Sequence, residues 1–249
     1  MKKTNRTKQI MLQKTDFKPA KEILKPDVII KSGIKELDKL IGGFKTGQIT
    51  YIDGDSKLIK DIPNQICVNT YRTFQKDTIY IDAGASTNPY KIAQYAKKME
   101  TDQRKTLEHI HISRAFTVYQ LTTLIQDQLE PMIKKYHPKT LLIGKFPVFY
   151  LDTDVEKKEA QTLLRANIHK TEELTKKYKL ITIFTNHDKK MLTKKRDIQK
   201  IIHYKADETI LMNQTELATK VRLLKNKQET MILHLVAGQL RLQDFGMVI

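Results

Sequence analysis

The stretch SGIKELDKLIGGFKTGQITYIDGDSKLIKD, residues 32–61, decides the fold of this chain. It predicts a short helix over residues 34–41, a break at Gly42 and Gly43, a strand over residues 48–53, a loop, and then a new helix. A strand that ends at a glycine and leads through a loop into a helix N-terminus is a common place for phosphate groups to bind. The stretch therefore predicts the framework of a nucleotide site.

The loop after this strand lacks most of the groups that phosphate binding requires. Such a loop needs glycines that turn backbone N–H groups toward the phosphates, a Lys for charge and a Ser or Thr for magnesium. Leu58 and Ile59 stand at the glycine position, and Asp61 stands at the hydroxyl position. If the loop is one residue short, Lys60 takes the hydroxyl position instead. The predicted degenerate loop comprises Gly54, Asp55, Lys57, Lys60 and Asp61.

The segment SGIKELDKLIGGFKTGQITYIDG resembles the start of the ATPase core of archaeal RadA-type recombinases, within the RecA superfamily. The resemblance implies an α/β fold with a RecA-like P-loop NTPase core, a mostly parallel twisted sheet flanked by helices, and a C-terminal antiparallel extension. The alternation of apolar strands with helical segments predicts the same doubly wound sheet. Strands are expected over residues 78–82, 109–114, 140–143 and 180–185, helices over 61–74, 88–100, 118–129 and 155–178, and antiparallel strands over 208–212, 218–224, 231–237 and 239–244.

Three further positions of the resemblance concern catalysis. The family has an Asp for magnesium after the third apolar strand, where this chain has Lys145. The catalytic Glu of the family falls two residues after Asp82, where this chain has Gly84. A Gln that senses the γ-phosphate is replaced by His187. Because metal binding, water activation and phosphate sensing are separate requirements, we expect no catalytic residue, no metal site, no cofactor and no ATP hydrolysis; nucleotide binding without hydrolysis stays open.

Composition favours a polyanionic partner. The 249 residues carry a formal net charge of +17, which predicts affinity for nucleic acid first and anionic membranes second. A Lys-rich proteome that makes every surface basic is the alternative explanation. No apolar run reaches the ~18 residues of a membrane span, no secretory signal is recognisable, and Cys67 is the only cysteine. We therefore expect no membrane partner and a cytoplasmic, nucleoid-associated protein.

The chain divides into a basic flexible tail (residues 1–16), a linker (17–31) and a RecA-like core (32–249). Phe17 and Ala20 match the Phe-x-x-Ala motif with which RadA-type proteins dock on a neighbouring protomer. An aromatic anchor on a tether with a small residue three positions later also suits a pocket-filling peptide. The alternative is that Phe17 packs on its own domain.

The resemblance places two DNA-gripping loops after the last two parallel strands. Residues 188–200 contain six Lys or Arg and two Asp, and the expected DNA-binding residues are Lys189, Lys190, Lys194, Lys195 and Arg196. Such contacts neutralise phosphates without reading sequence. In the other loop, Asp152 stands near the position of a family Arg, while Phe149 and Tyr150 either stack on bases or pack in the core. A solvated helix is the alternative for the basic segment.

Together these features predict a catalytically inactive RadA-like paralogue, a DNA-binding accessory factor in homologous recombination and repair. Its expected partners are DNA, bound without sequence specificity, and a RadA-type recombinase or a second copy of the chain. One alternative is a divergent DNA-dependent ATPase that uses Lys60 and Lys145 in altered roles. Another is a regulator or scaffold without DNA binding, similar to inactive members of the KaiC-like branch.

Overall fold

A computed structural model describes residues 28–84, 87–187 and 196–234 of the chain. Its centre is an eight-stranded sheet with the strand order β10-β9-β8-β3-β7-β6-β4-β5. The strands are β3 (Gln48–Gly54), β4 (Thr78–Asp82), β5 (Ile110–Arg114), β6 (Thr140–Gly144), β7 (Ile181–Asn186), β8 (Glu208–Gln214), β9 (Ala218–Leu223) and β10 (Glu229–Leu233). A separate antiparallel pair joins β1 (Ile29–Ile30) to β2 (Phe44–Lys45).

Strands β8, β3, β7, β6, β4 and β5 are parallel, and β9 and β10 add antiparallel to β8. The mostly parallel sheet with an antiparallel C-terminal extension confirms the predicted fold class. In such a sheet the carboxyl ends of the parallel strands meet at one edge, which is where α/β folds bind ligands. The loops after β3, β4, β6 and β7 therefore define the edge to search for a site.

Helices cover both faces of the sheet. They are α1 (Lys35–Ile41), α2 (Leu58–Phe74), α3 (Pro89–Lys98), α4 (Gln103–Glu108), α5 (Val118–Thr123), α6 (Leu129–Tyr136), α7 (Lys157–Tyr178) and α8 (Arg196–Lys205). A π-helical segment, Leu124–Gln128, joins α5 to α6, and a 3₁₀ turn, Val148–Leu151, follows β6.

Side chains that alternate along β3 enter two different cores. Ile49 and Tyr51 pack with residues of α5 to α8 on one face, and Ile52 packs with residues of α1 to α3 on the other. Because successive strand side chains point to opposite faces, Asp53 shares the face of Ile49 and Tyr51. This alternation directs a fully buried carboxylate toward α8.

Several predicted boundaries were wrong. The helical structure predicted over residues 118–129 continues to Tyr136, and β10 begins at Glu229 instead of residue 231. Helix α2, predicted to begin at Asp61, begins at Leu58. The Ser56 hydroxyl oxygen accepts the Leu58 N–H at 3.2 Å, so the helix gains its terminal acceptor one turn earlier. The predicted strand over residues 239–244 lies outside the described residues.

Candidate functional site

The loop after β3 turns at Gly54 and closes onto the neighbouring strand β8. Gly54 has φ +144°, and a Cβ atom there would lie 2.1 Å from the Met212 carbonyl oxygen, so only glycine fits. That oxygen also accepts hydrogen bonds from the backbone N–H groups of Asp55, at 3.1 Å, and Ser56, at 3.2 Å. Two amides that a phosphate loop would present to its ligand are thus bonded to the protein's own backbone.

Side chains lock the same loop to the β8–β9 hairpin. The buried Ser56 hydroxyl lies 2.8 Å from Thr219 Oγ1, and the Asp55 carboxylate accepts the Gln214 N–H at 2.7 Å. Thr219 Oγ1 lies 2.9 Å from His234 Nε2, and His234 Nδ1 lies 2.9 Å from Gln214 Nε2.

The direction of these hydrogen bonds follows from their chemistry. The amide nitrogen of Gln214 can only donate, so His234 Nδ1 must accept and Nε2 must carry the proton that goes to Thr219. The other N–H of that amide donates to the Thr215 carbonyl at 3.2 Å, which fits this orientation of the Gln214 amide. These contacts therefore fit the tautomer of His234 that carries its proton on Nε2.

The loop's charged residues do not converge on a ligand position. Lys57 and Lys60 are exposed. Asp61 lies on the surface of α2, and its Oδ1 atom is 3.1 Å from Lys91 Nζ of α3. Because Asp61 forms a salt bridge with Lys91 at the helix surface, it does not replace the Ser or Thr hydroxyl that binds magnesium in a phosphate loop.

Lys145 and Gly84 meet at the ends of β6 and β4. Lys145 has φ +51°, and a Cβ atom on Gly84 would lie 2.2 Å from Lys145 Cδ, so the lysine stem passes directly over the glycine. The buried Asp82 accepts the Thr87 N–H at 2.9 Å, and Arg114 Nε lies 3.8 Å from the same carboxylate oxygen. His187 directly follows β7 and is partly buried. A cation therefore stands at the position where the family resemblance implies a magnesium ligand.

Sequence reasoning missed the polar cluster around Asp53. This carboxylate accepts hydrogen bonds from Asn186 Nδ2 at 3.0 Å and from Gln199 Nε2 at 2.9 Å, and His203 Nε2 lies 3.1 Å away. Burial and the nearby Asp53 charge hold the pKa of Tyr51 well above its ordinary value. The cluster ties α8 to the end of β3. The spacing of Gln199 and His203, four residues apart on one helix face, was the available signal.

The residues at this edge do not fit a magnesium nucleotide. The Asp55 and Ser56 amides are committed to Met212, and Lys145 brings positive charge where a carboxylate is required. Across the three described ranges, no group of three His, Cys, Asp or Glu side chains is placed to hold a metal ion.

Most residues predicted to bind DNA or to dock on a partner lie outside the described residues. They are Phe17, Ala20, Lys189, Lys190, Lys194 and Lys195. Arg196 is the first residue of α8, so the end of the basic segment is helical. Tyr150 is fully buried and its hydroxyl accepts a hydrogen bond from Asn167 at 2.8 Å, and Phe149 packs against the same core. Packing thus occupies both aromatic residues, and base stacking does not apply to Tyr150.

None of the helices in the described part of the chain is both long and apolar enough to cross a membrane.

Comparison with known proteins agrees with the fold. The chain is similar to the mouse DNA repair protein RAD51 homolog 4, at 26% identity over 114 residues (43% of this chain and 34% of the relative). It is also similar to the DNA repair protein Rad51 homolog of Drosophila melanogaster, at 32% identity over 114 residues (41% and 33%). The DNA repair protein RAD51 homolog of Solanum lycopersicum is 29% identical over 112 residues (42% and 33%). The chain therefore spans about a third of the length of these relatives.

A wider match covers most of the chain. The model of the family described as Rad51 matches residues 24–237, which include all the strands of the central sheet. The predicted membership of the RecA superfamily is confirmed, and the chain belongs to the Rad51 family.

Proposed function

We propose that this chain is a non-catalytic paralogue of the Rad51 family that acts at the nucleoid as a DNA-binding accessory factor in homologous recombination and DNA repair. It binds DNA without reading sequence and docks through Phe17 and Ala20 on an active recombinase or on a second copy of itself. It does not hydrolyse ATP.

The observation that carries the proposal is the closure of the loop after β3. Binding of phosphates would require the Asp55 and Ser56 amides to leave the Met212 carbonyl, and would break the buried contact between Ser56 and Thr219. Each buried polar group left without a partner costs about 1–3 kcal/mol. No lysine or hydroxyl in the described loop is placed to offset that cost, because Ser56 is buried in the network and Lys57 and Lys60 point into solvent.

The DNA part of the proposal rests on charge and on the anchoring of α8. Residues 188–200 carry six basic residues, and the segment ends in a helix whose Ile198, Ile201 and Ile202 are buried. The Asp53 cluster holds the same helix through Gln199 and His203. A basic segment that is fixed at its end to the core can position phosphates against the carboxyl edge of the sheet.

The test combines ATP turnover with DNA binding on the full chain. We expect turnover at background with and without DNA, and an association constant for DNA that falls steeply with salt. Replacing Lys194, Lys195 and Arg196 by Ala should reduce the slope of log K against log salt by about one unit for each lost phosphate contact. A matched variant with Lys35, Lys39 and Lys220 replaced by Ala, which lie on α1 and β9, should leave the slope unchanged.

Other results would contradict the proposal in distinct ways. DNA-stimulated turnover that is lost on Lys60→Ala would establish a divergent ATPase. A chain that binds no DNA and still docks on a recombinase would be a scaffold, and its basic charge would be incidental.

A further inference from the structure

The amino-terminal ends of five parallel strands lie level at the edge of the sheet opposite the candidate site. The strand register aligns their first residues, which are Gln48, Ile181, Thr140, Thr78 and Ile110. Backbone hydrogen bonds continue beyond the strands, since the Ile181 N–H donates to Lys139 at 3.0 Å and the Lys139 N–H donates to Asp77 at 2.9 Å. The loops that precede these strands are therefore held side by side.

Lysines occupy these adjacent loops. Lys179 precedes β7, Lys139 precedes β6 and Lys76 precedes β4, and Lys135 lies in the last turn of α6 beside them. Neighbouring strands are about 4.8 Å apart, so the three loop lysines are spread over about 10 Å. We call these four lysines the amino-edge surface. Lys76, Lys135 and Lys179 are exposed, and Lys139 is partly buried.

The nearby carboxylates are engaged by other groups. Asp77 Oδ2 lies 2.6 Å from His111 Nε2, and Glu130 Oε1 lies 2.8 Å from Lys177 Nζ. Within the described ranges, no carboxylate lies within 4.0 Å of the amino groups of the amino-edge surface. Burial lowers the pKa of Lys139, and the charge of Lys179 adds to the same effect.

Two lysines of the amino-edge surface lie over aromatic rings and have no carboxylate partner among the described residues. Lys139 Nζ lies 5.6 Å from the centre of the Phe74 ring, and Lys135 Nζ lies 4.8 Å from the centre of the Tyr136 ring. A ring attracts the ammonium group through its quadrupole but carries no net charge. Lys135 and Lys139 are thus supported by rings while their charge stays available to a partner.

Helix termini offer a simpler reason for lysines at this edge, but they do not balance the charge. Helices α2, α6 and α7 all end here, with C-cap residues Gln75, His137 and Lys179. Each C-terminus carries about half a negative charge, so the three supply about 1.5. Four lysines exceed that amount even when the Asp77 carboxylate is added to it, so a net positive charge remains among these groups.

We propose that the amino-edge surface binds the phosphates of a second nucleic-acid segment, so that the chain bridges two duplexes. The proposal rests on the proposed function for the first segment, at the carboxyl edge. Strands of five or six residues separate the two edges by about 17–20 Å, and a duplex stays nearly straight over about 150 base pairs. Two opposite edges therefore contact two separate stretches of DNA.

The test is a bridging assay on the full chain. One duplex is fixed to beads, a second duplex carries a fluorophore, and protein-dependent capture of the second is measured at low salt. The amino-edge variant replaces Lys76, Lys135 and Lys179 by Gln, which keeps most of each stem. The carboxyl-edge variant replaces Lys194, Lys195 and Arg196 by Gln, and the control variant replaces Lys35, Lys39 and Lys220 by Gln. Thermal unfolding checks that each variant is folded.

We expect the amino-edge variant to lose about tenfold or more in bridging while binding to a single duplex persists through the other edge. In the carboxyl-edge background, adding the amino-edge changes should reduce the slope of log K against log salt by about three units. The control variant should change neither quantity.

Each contrary result has its own meaning. A chain that binds one duplex but bridges equally well with and without the amino-edge lysines overturns this inference and leaves the proposed function standing. If bridging is lost in the amino-edge variant while the carboxyl-edge variant behaves like the wild type, the amino-edge site stands, the other DNA contact lies elsewhere, and the assignment of residues 188–200 is overturned. Absence of any DNA binding overturns both. If the amino-edge changes abolish binding to phosphatidylserine vesicles but not to DNA, the surface serves membranes and the inference fails.

Discussion

The Asp53 carboxylate lies 3.1 Å from His203 Nε2, although 150 positions separate the two residues. The contact joins the last side chain before the loop turn at Gly54 to α8, the helix in which the basic segment ends. It is buried on the side of Asp53 and partly exposed on the side of His203. A displacement of α8 would therefore disturb the hydrogen bonds at the end of β3, and a change at the end of β3 would disturb α8.

Replacing Asp53 by Ala should lower the free energy of unfolding by about 3 kcal/mol, because it leaves Asn186, Gln199 and His203 without their shared acceptor. Urea denaturation measures the change. Asp154→Ala, at an exposed position, is the matched control and should change stability by less than about 0.5 kcal/mol. A loss at Asp53 no larger than that of the control would mean that the cluster does not hold the helix.

Ser56→Ala should destabilise the chain by about 2 kcal/mol. The substitution removes the acceptor of the Leu58 N–H and the buried partner of Thr219. The control is Thr162→Ala, which deletes an exposed hydroxyl that bonds only to the Lys158 carbonyl of its own helix. The free energy of unfolding of both variants is measured by chemical denaturation. Equal decreases in the two variants would show that the loop network does not stabilise the fold.

Glu130 should make stability depend on pH in the acid range. Hydrogen bonds from Lys177 and Tyr178, together with the charge of Lys134, lower its pKa from 4.5 to about 2. A lowered carboxyl pKa stabilises the folded chain above the unfolded pKa, and the gain is lost as pH falls through the folded pKa. The difference in urea midpoint between the wild type and Glu130→Gln should therefore shrink between pH 4.5 and about 2. A difference that stays constant over this window would contradict the assignment.

Phe17→Glu should abolish self-association or recombinase binding and leave the melting temperature of the isolated chain nearly unchanged. An aromatic anchor seated in a partner pocket can contribute about 2 kcal/mol or more. Sedimentation velocity and pull-down with a recombinase measure association, and Thr15→Glu introduces the same charge nearby as a control. If Phe17→Glu lowers the melting temperature by several degrees and complexes persist, Phe17 packs on its own domain.

Sequence patterns predicted the parallel core closely because its strands are short apolar runs between clear helical segments. The strand Thr78–Asp82 agrees with its predicted bounds, and Ile181–Asn186 is shifted by one residue. Helix α8 was not among the expected helices, and a solvated helix was only the alternative for residues 188–200, because charge dominated the interpretation of this region. The spacing of Ile198, Ile201 and Ile202 was the signal for a buried helix face.

The details of the candidate site had no comparable signal. The residue types in the loop after β3 show from the sequence that phosphate-binding groups are missing. They do not show that the loop is hydrogen-bonded to β8. Ser56 and Thr219 are 163 positions apart, and Thr219 and His234 meet only because β9 and β10 pair. Contacts of this kind arise from sheet topology, which brings distant residues together without any local pattern.

The carbonyl oxygen of Met212 receives two converging amides, from Asp55 and Ser56, which is the geometry that backbone nests offer to anions. Here the electronegative atom comes from the chain's own neighbouring strand. The loop therefore satisfies these two amides within the fold. On the proposed function, in which the loop holds no nucleotide, its stability should not depend on cellular nucleotide levels, and a shift in the ratio of ATP to ADP would leave this chain in the same conformation.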